Sequence, residues 1–96
     1  MALKYLRKAC AQSDALSCHD LGQMYEKGMG TTKNYIMART KYEQACKGTY
    51  KKSCVNVGVY HQYGLGGLAK NFKTAAKYYN IGCTAKRGEG CYLLDV

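Results

Sequence analysis

Cys18-His19-Asp20-Leu21-Gly22-Gln23-Met24-Tyr25-Glu26-Lys27-Gly28-Met29-Gly30 and Cys54-Val55-Asn56-Val57-Gly58-Val59-Tyr60-His61-Gln62-Tyr63-Gly64-Leu65-Gly66 are one phrase written twice, 36 positions apart. Leu21 falls on Val57, Gly22 on Gly58, Met24 on Tyr60 and Tyr25 on His61. Gly28 and Gly30 fall on Gly64 and Gly66. Downstream the register becomes 37: Asn34 meets Asn71, Tyr35 meets Phe72, Ala38 meets Ala75, Tyr42 meets Tyr79 and Ala45 meets Gly82. One residue has been inserted near Gly67, in a loop, where extra length is tolerated. A fixed period of this size marks an array of stacked units.

Each unit reads as two helices. In the first, Leu21, Met24, Tyr25 and Gly28 follow the i, i+3, i+4, i+7 spacing of one buried face. That helix stops at Gly28-Met29-Gly30, because glycine adopts the left-handed C-cap without strain. Asn34 is the expected N-cap of the second helix, and Tyr35, Ala38, Tyr42, Ala45 and Cys46 form its apolar stripe. The small residues Gly22, Ala38, Gly58 and Ala75 allow neighbouring backbones to approach closely. The expected helices are 1–11, 17–28, 34–47, 53–64, 71–84 and 90–95.

The ends do not fall on unit boundaries. Ala2, Leu6, Ala9 and Cys10 match Ala38, Tyr42, Ala45 and Cys46, so residues 1–11 read as the second half of an earlier unit. Residues 18–47 and 54–84 are full units, and 91–96 begin another. The fold expected for 1–96 is a single all-α domain, an α/α solenoid of antiparallel helix pairs.

Six cysteines recur as Cys10/Cys18, Cys46/Cys54 and Cys83/Cys91, each pair spaced C-x7-C. The first of each pair ends a second helix and the other begins the next first helix. Antiparallel neighbours bring those two turns together, within reach of the ~4.4–6.8 Å between Cα atoms that a disulfide needs. One bridge per unit is the favoured reading. Free buried thiols are the alternative. Zinc is a poorer one, since its cysteine pairs are usually spaced C-x2-C or C-x4-C.

The formal charge is +9, from 15 Lys and Arg against 6 Asp and Glu. The lysines are scattered through all segments with no Arg-rich run. They therefore read as a solvated surface, and no nucleic-acid partner is expected. No apolar stretch approaches the ~20 residues of a membrane span. Met1 is followed at once by an amphipathic pattern, whereas paired cysteines belong to oxidising compartments. The expectation is therefore a mature or trimmed chain, secreted or periplasmic.

The phrase LGxMYxxGxG, the Lys-Asn-Tyr/Phe start of the second helix at Lys33 and Lys70, and the cysteine pair recur in register. Together they resemble Sel1-like repeats, relatives of the tetratricopeptide repeat, in the form found in the Helicobacter cysteine-rich protein family. The resemblance covers essentially the whole chain. It implies an α/α superhelix with one disulfide per unit, export from the cytoplasm, and a role as a binding scaffold. It also implies penicillin binding or β-lactamase activity, with a β-lactam as ligand.

The residues supply no catalytic motif for that activity. A serine β-lactamase needs Ser with Lys three positions on. Ser13, Ser17 and Ser53 are followed there by Leu16, Asp20 and Asn56. Thr74 and Lys77 have the spacing, but on a helix that reads as packing. His19 and His61 stand singly on different units, and Asp14, Asp20, Glu26, Glu43, Glu89 and Asp95 are dispersed. No metal site and no cofactor are expected. In stacked helix pairs the first helices line the concave face. Its open side would carry Asp20, Gln23 and Lys27 in one unit and Asn56, Val59 and Tyr63 in the next. That row of amide and aromatic groups suits an extended peptide or protein ligand.

Overall fold

The computed structural model describes residues 2–85, which form five helices: α1 (Ala2–Ala11), α2 (Ala15–Lys27), α3 (Tyr35–Lys47), α4 (Lys52–Tyr63) and α5 (Phe72–Ala85). Each helix packs on the next in chain order, most extensively α2 on α3 and α4 on α5. These two pairs are the full units. The contacts of α1 with α2 and of α3 with α4 join one unit to the next. The result is an all-α solenoid of antiparallel pairs measuring 39 × 25 × 16 Å. Its thinnest dimension fits two helix layers whose axes lie about 8–10 Å apart.

Local chemistry sets the helix ends. Gly28 and Gly64 take φ of 70° and 68°, the left-handed conformation that ends α2 and α4. The N–H groups of Met29 and Leu65 then close on the carbonyls of Met24 and Tyr60, both at 2.9 Å. The Asn34 side chain accepts from the Met37 N–H at 3.0 Å, and Asn71 accepts likewise from Thr74. The backbone N–H of Asn34 donates to Tyr25 O, and that of Asn71 to His61 O, each at 2.8 Å. The two loops are thus tied to their preceding helices in the same way, although the second is one residue longer.

The start of α2 differs from expectation. It begins at Ala15, two residues before position 17, because Asp14 has the extended backbone of an N-cap and its carboxylate accepts from the Ser17 hydroxyl at 2.5 Å. The other starts and ends fall within one residue of expectation, and the ends at Ala11 and Lys47 coincide with it.

Inside each unit a glycine sets the separation of the helices. A methyl group on Gly22 would lie 2.9 Å from the Tyr42 ring, and one on Gly58 would lie 2.7 Å from the Tyr79 ring. Both would also press on a backbone carbonyl of the facing helix, Ala38 or Ala75. The rings of Tyr42 and Tyr79 therefore lie flush on α2 and α4, at the heart of a buried core that includes Leu21, Ala38, Ala45 and Val57.

Cys10 is bridged to Cys18 and Cys46 to Cys54, with Cα atoms 4.6 and 4.8 Å apart. Both bridges run from the end of one unit's second helix to the start of the next unit's first helix. The third expected bridge, Cys83 to Cys91, and the helix expected at 90–95 lie outside the described residues.

Candidate binding groove between the first helices

Two side-chain bonds join α2 to α4 across the unit boundary. Near their starts, His19 Nδ1 lies 2.6 Å from Ser53 Oγ. Near their ends, the Tyr60 hydroxyl donates to Glu26 Oε1 at 2.8 Å. His19 and Glu26 are seven positions apart, as are Ser53 and Tyr60, so each pair lies on one helix face. Gln23 and Asn56 stand between these anchors on the same stripes. They form the middle of a seam between the two helices.

The His19–Ser53 anchor is buried among aromatic rings. His19 is 5% exposed and Ser53 is fully buried. The imidazole lies between the rings of Tyr42 and Tyr50, with centroids 5.4 and 4.8 Å away. Burial holds its pKa below the usual histidine value; Asp20 and Glu26 pull the other way, and Lys52 reinforces the depression. Burial and the nearby Glu26 carboxylate push the Tyr42 and Tyr60 phenols well above their ordinary range. Among the described residues no hydrogen-bond partner lies within bonding distance of the buried Tyr42 hydroxyl, although Glu26 is near enough, by its charge and as an acceptor, to raise the phenol's pKa.

The six residues expected to bind a ligand all lie on α2 and α4. Asp20, Gln23, Asn56 and Val59 are half-buried, whereas Lys27 and Tyr63 are exposed, Tyr63 at 58%. No side-chain hydrogen bond among the described residues engages Gln23, Asn56 or Tyr63. Beyond the end of the seam, Arg39 Nε donates to Gly66 O at 2.9 Å while Nη1 bonds the Glu43 carboxylate at 3.2 Å. That arginine pins the second unit's loop onto α3. His61, half-buried, stacks on Tyr78 at 5.3 Å with rings 8° from parallel, a packing role.

His19 and Ser53 stand 34 positions apart, off the 36-residue register, so no repeat signal marks their pairing. A serine–histidine contact has the composition of an activated nucleophile, but full burial of Ser53 closes it to any substrate while the joint is intact. The Thr74 backbone N–H is taken up in capping by Asn71, and Lys77 is exposed. Among the described residues, no group of three or more His, Cys, Asp or Glu could hold a metal. None of the described helices is long and apolar enough to cross a membrane.

The Sel1 repeat model matches residues 1–14, 15–50 and 51–86. The chain belongs to the Sel1 repeat family. Its structure is similar to Helicobacter pylori cysteine rich protein B, with a TM-score of 0.88 and 30% identity over 95% of this chain and 68% of that one. With its paired cysteines it is a Sel1 repeat protein of that cysteine-rich type. A Sel1 repeat protein from Oxalobacter formigenes superposes with a TM-score of 0.80 at 26% identity, covering 88% of this chain and 34% of that one. Among curated relatives, cytochrome c oxidase assembly factor 7 of Danio rerio is 33% identical over 64 residues, 65% of this chain. An uncharacterised Sel1-like repeat-containing protein of Schizosaccharomyces pombe is 34% identical over 70 residues, 68% of this chain. The matched segments span 28% and 10% of those two relatives.

Proposed function

We propose that this Sel1 repeat chain is a non-catalytic scaffold that captures an extended peptide or protein segment along the α2–α4 seam, in a secreted or periplasmic setting. The supporting observation is the pair of half-buried amides, Gln23 and Asn56, held between two inter-helix bonds and not engaged by them. An amide offers both donors and acceptors, which is what an extended backbone requires. Beside them, Val59 and the exposed Tyr63 ring supply apolar contact, and Asp20 and Lys27 place opposite charges toward the two ends of the row. The two buried bridges favour an oxidising compartment.

Binding of peptides selected from a library, measured by calorimetry, tests this reading. Asn56→Ala and Tyr63→Ala should each weaken capture by about fivefold or more, on the order of 1 kcal/mol. Unchanged affinity in both variants would move the site elsewhere.

A second reading is weak β-lactam hydrolysis: the His19–Ser53 contact has the composition of such a site, and the joint would have to open to expose Ser53. Nitrocefin turnover by the oxidised protein, abolished in Ser53→Ala, would put that reading first.

A further inference from the structure

His19 occupies a position that the next unit fills with Val55, so its polar ring is a local addition to the repeat. It sits at the joint between the first and second units. The groups around it come from every element packed there: Asp20 and Glu26 on its own helix, Tyr42 on α3, Tyr50 in the α3–α4 connection, and Lys52 and Ser53 on α4. We propose that this joint is a proton-operated latch, in which neutral His19 locks the start of α2 onto α4 and its protonation in mild acid loosens that contact while the Cys46–Cys54 bridge keeps the two units joined.

Hydrogen-bonding capacity in a confined space sets the response of this ring to a proton. A neutral imidazole carries one N–H, and its Nδ1 is satisfied by Ser53 whichever of the two donates. The protonated ring carries two N–H groups. Nδ1 must then donate, and Nε2 also needs an acceptor, in a slot walled by two tyrosine rings. Asp20, Glu26 and the ring faces attract the cation, while burial and Lys52 oppose it, and burial is the largest of these effects. The opened joint accepts the proton more readily than the closed one. Stability from this source is therefore complete above the unfolded histidine value near pH 6.5 and declines as pH falls below it.

Two measurements on the full oxidised chain decide the matter. The His19 ring followed by NMR should titrate below about 6.5. Seam-facing amides of α2 and α4, corrected for intrinsic exchange, should exchange severalfold faster at pH 5.0 than at pH 7.5, because burial lowers the His19 pKa in the closed joint. His19→Asn keeps an amide able to bond Ser53 and should abolish the rise. His61→Gln should retain it, because His61 lies on the second unit against Tyr78. An ordinary His19 titration, or an equal rise in His19→Asn, overturns the latch. If that variant does not fold, the wild-type titration decides alone. Neither readout involves a ligand, so the latch stands or falls apart from the peptide reading.

Discussion

Tyr60 on α4 reaches back 34 positions to Glu26 on α2. His19 and Ser53 are also 34 apart, and the sulfur of bridged Cys10 lies 3.3 Å from Gln44 Oε1 at the same interval. The repeat itself advances by 36. Each unit therefore meets its successor two residues before the equivalent position. This constant stagger is the geometric rule by which the units stack.

Removing the hydroxyl in Tyr60→Phe should cost about 1–2 kcal/mol. The Glu26 carboxylate would lose a charge-assisted bond in a half-buried place, with water recovering part of it. Chemical denaturation of the oxidised protein measures the loss.

Two tyrosines at equivalent positions should respond differently to the same change. The Tyr79 hydroxyl donates to Gln62 at 2.5 Å, whereas the buried Tyr42 hydroxyl meets no partner within bonding distance among the described residues. Tyr79→Phe should therefore destabilise by roughly 1 kcal/mol, while Tyr42→Phe should be neutral or stabilising, since it removes an unmet donor. Equal losses in the two melting curves would contradict the assignment.

Gly58→Ala replaces the residue with the poorer helix propensity, and on an exposed helix the change would gain about 1 kcal/mol. Here the added methyl group meets the Tyr79 ring at 2.7 Å and the Ala75 carbonyl at 3.1 Å. Overpacking of this kind costs about 1–3 kcal/mol and should outweigh the propensity gain. Gly22→Ala should behave the same way against Tyr42, and denaturant midpoints report both.

Each bridge encloses a short ring, so its loss should cost about 2.5 kcal/mol on the chain-entropy model. Peptide mapping without reductant should recover Cys10 joined to Cys18 and Cys46 joined to Cys54. A reductant should lower the melting temperature by well over ten degrees, given about 4–8 °C per kcal/mol in a domain of this size. Any other pairing in the map, such as Cys10 with Cys46, would contradict the fold.

Much of this architecture was legible in what recurs. The glycine caps at 28 and 64, the close approach at Gly22 and Gly58, and the C-x7-C bridges recur at an offset of 36, and the asparagine caps at 34 and 71 at 37. A single sequence aligned on itself reveals such positions. The start of α2 was missed because Asp14 and Ser17 settle it by a side-chain bond with no counterpart at the start of α4, where Lys51 and Ser53 stand. The joints were illegible for a related reason. His19 faces Val55 in the self-alignment and Glu26 faces Gln62, so the α2 partner of each lock is a residue in which the units differ, although Ser53 repeats Ser17. Self-comparison pairs equals, whereas stacking pairs positions two residues out of register.

The placement of the bridges has a bearing on proteolysis. They span the turns at residues 11–17 and 47–53, and not the glycine loops after α2 and α4. A peptidase that nicks either spanned turn leaves its two fragments covalently attached, so a scissile bond there can be cut without dispersing the array. A cut at Gly28–Asn34 or Gly64–Asn71 crosses no bridge among the described residues, and the pieces are then held by packing alone.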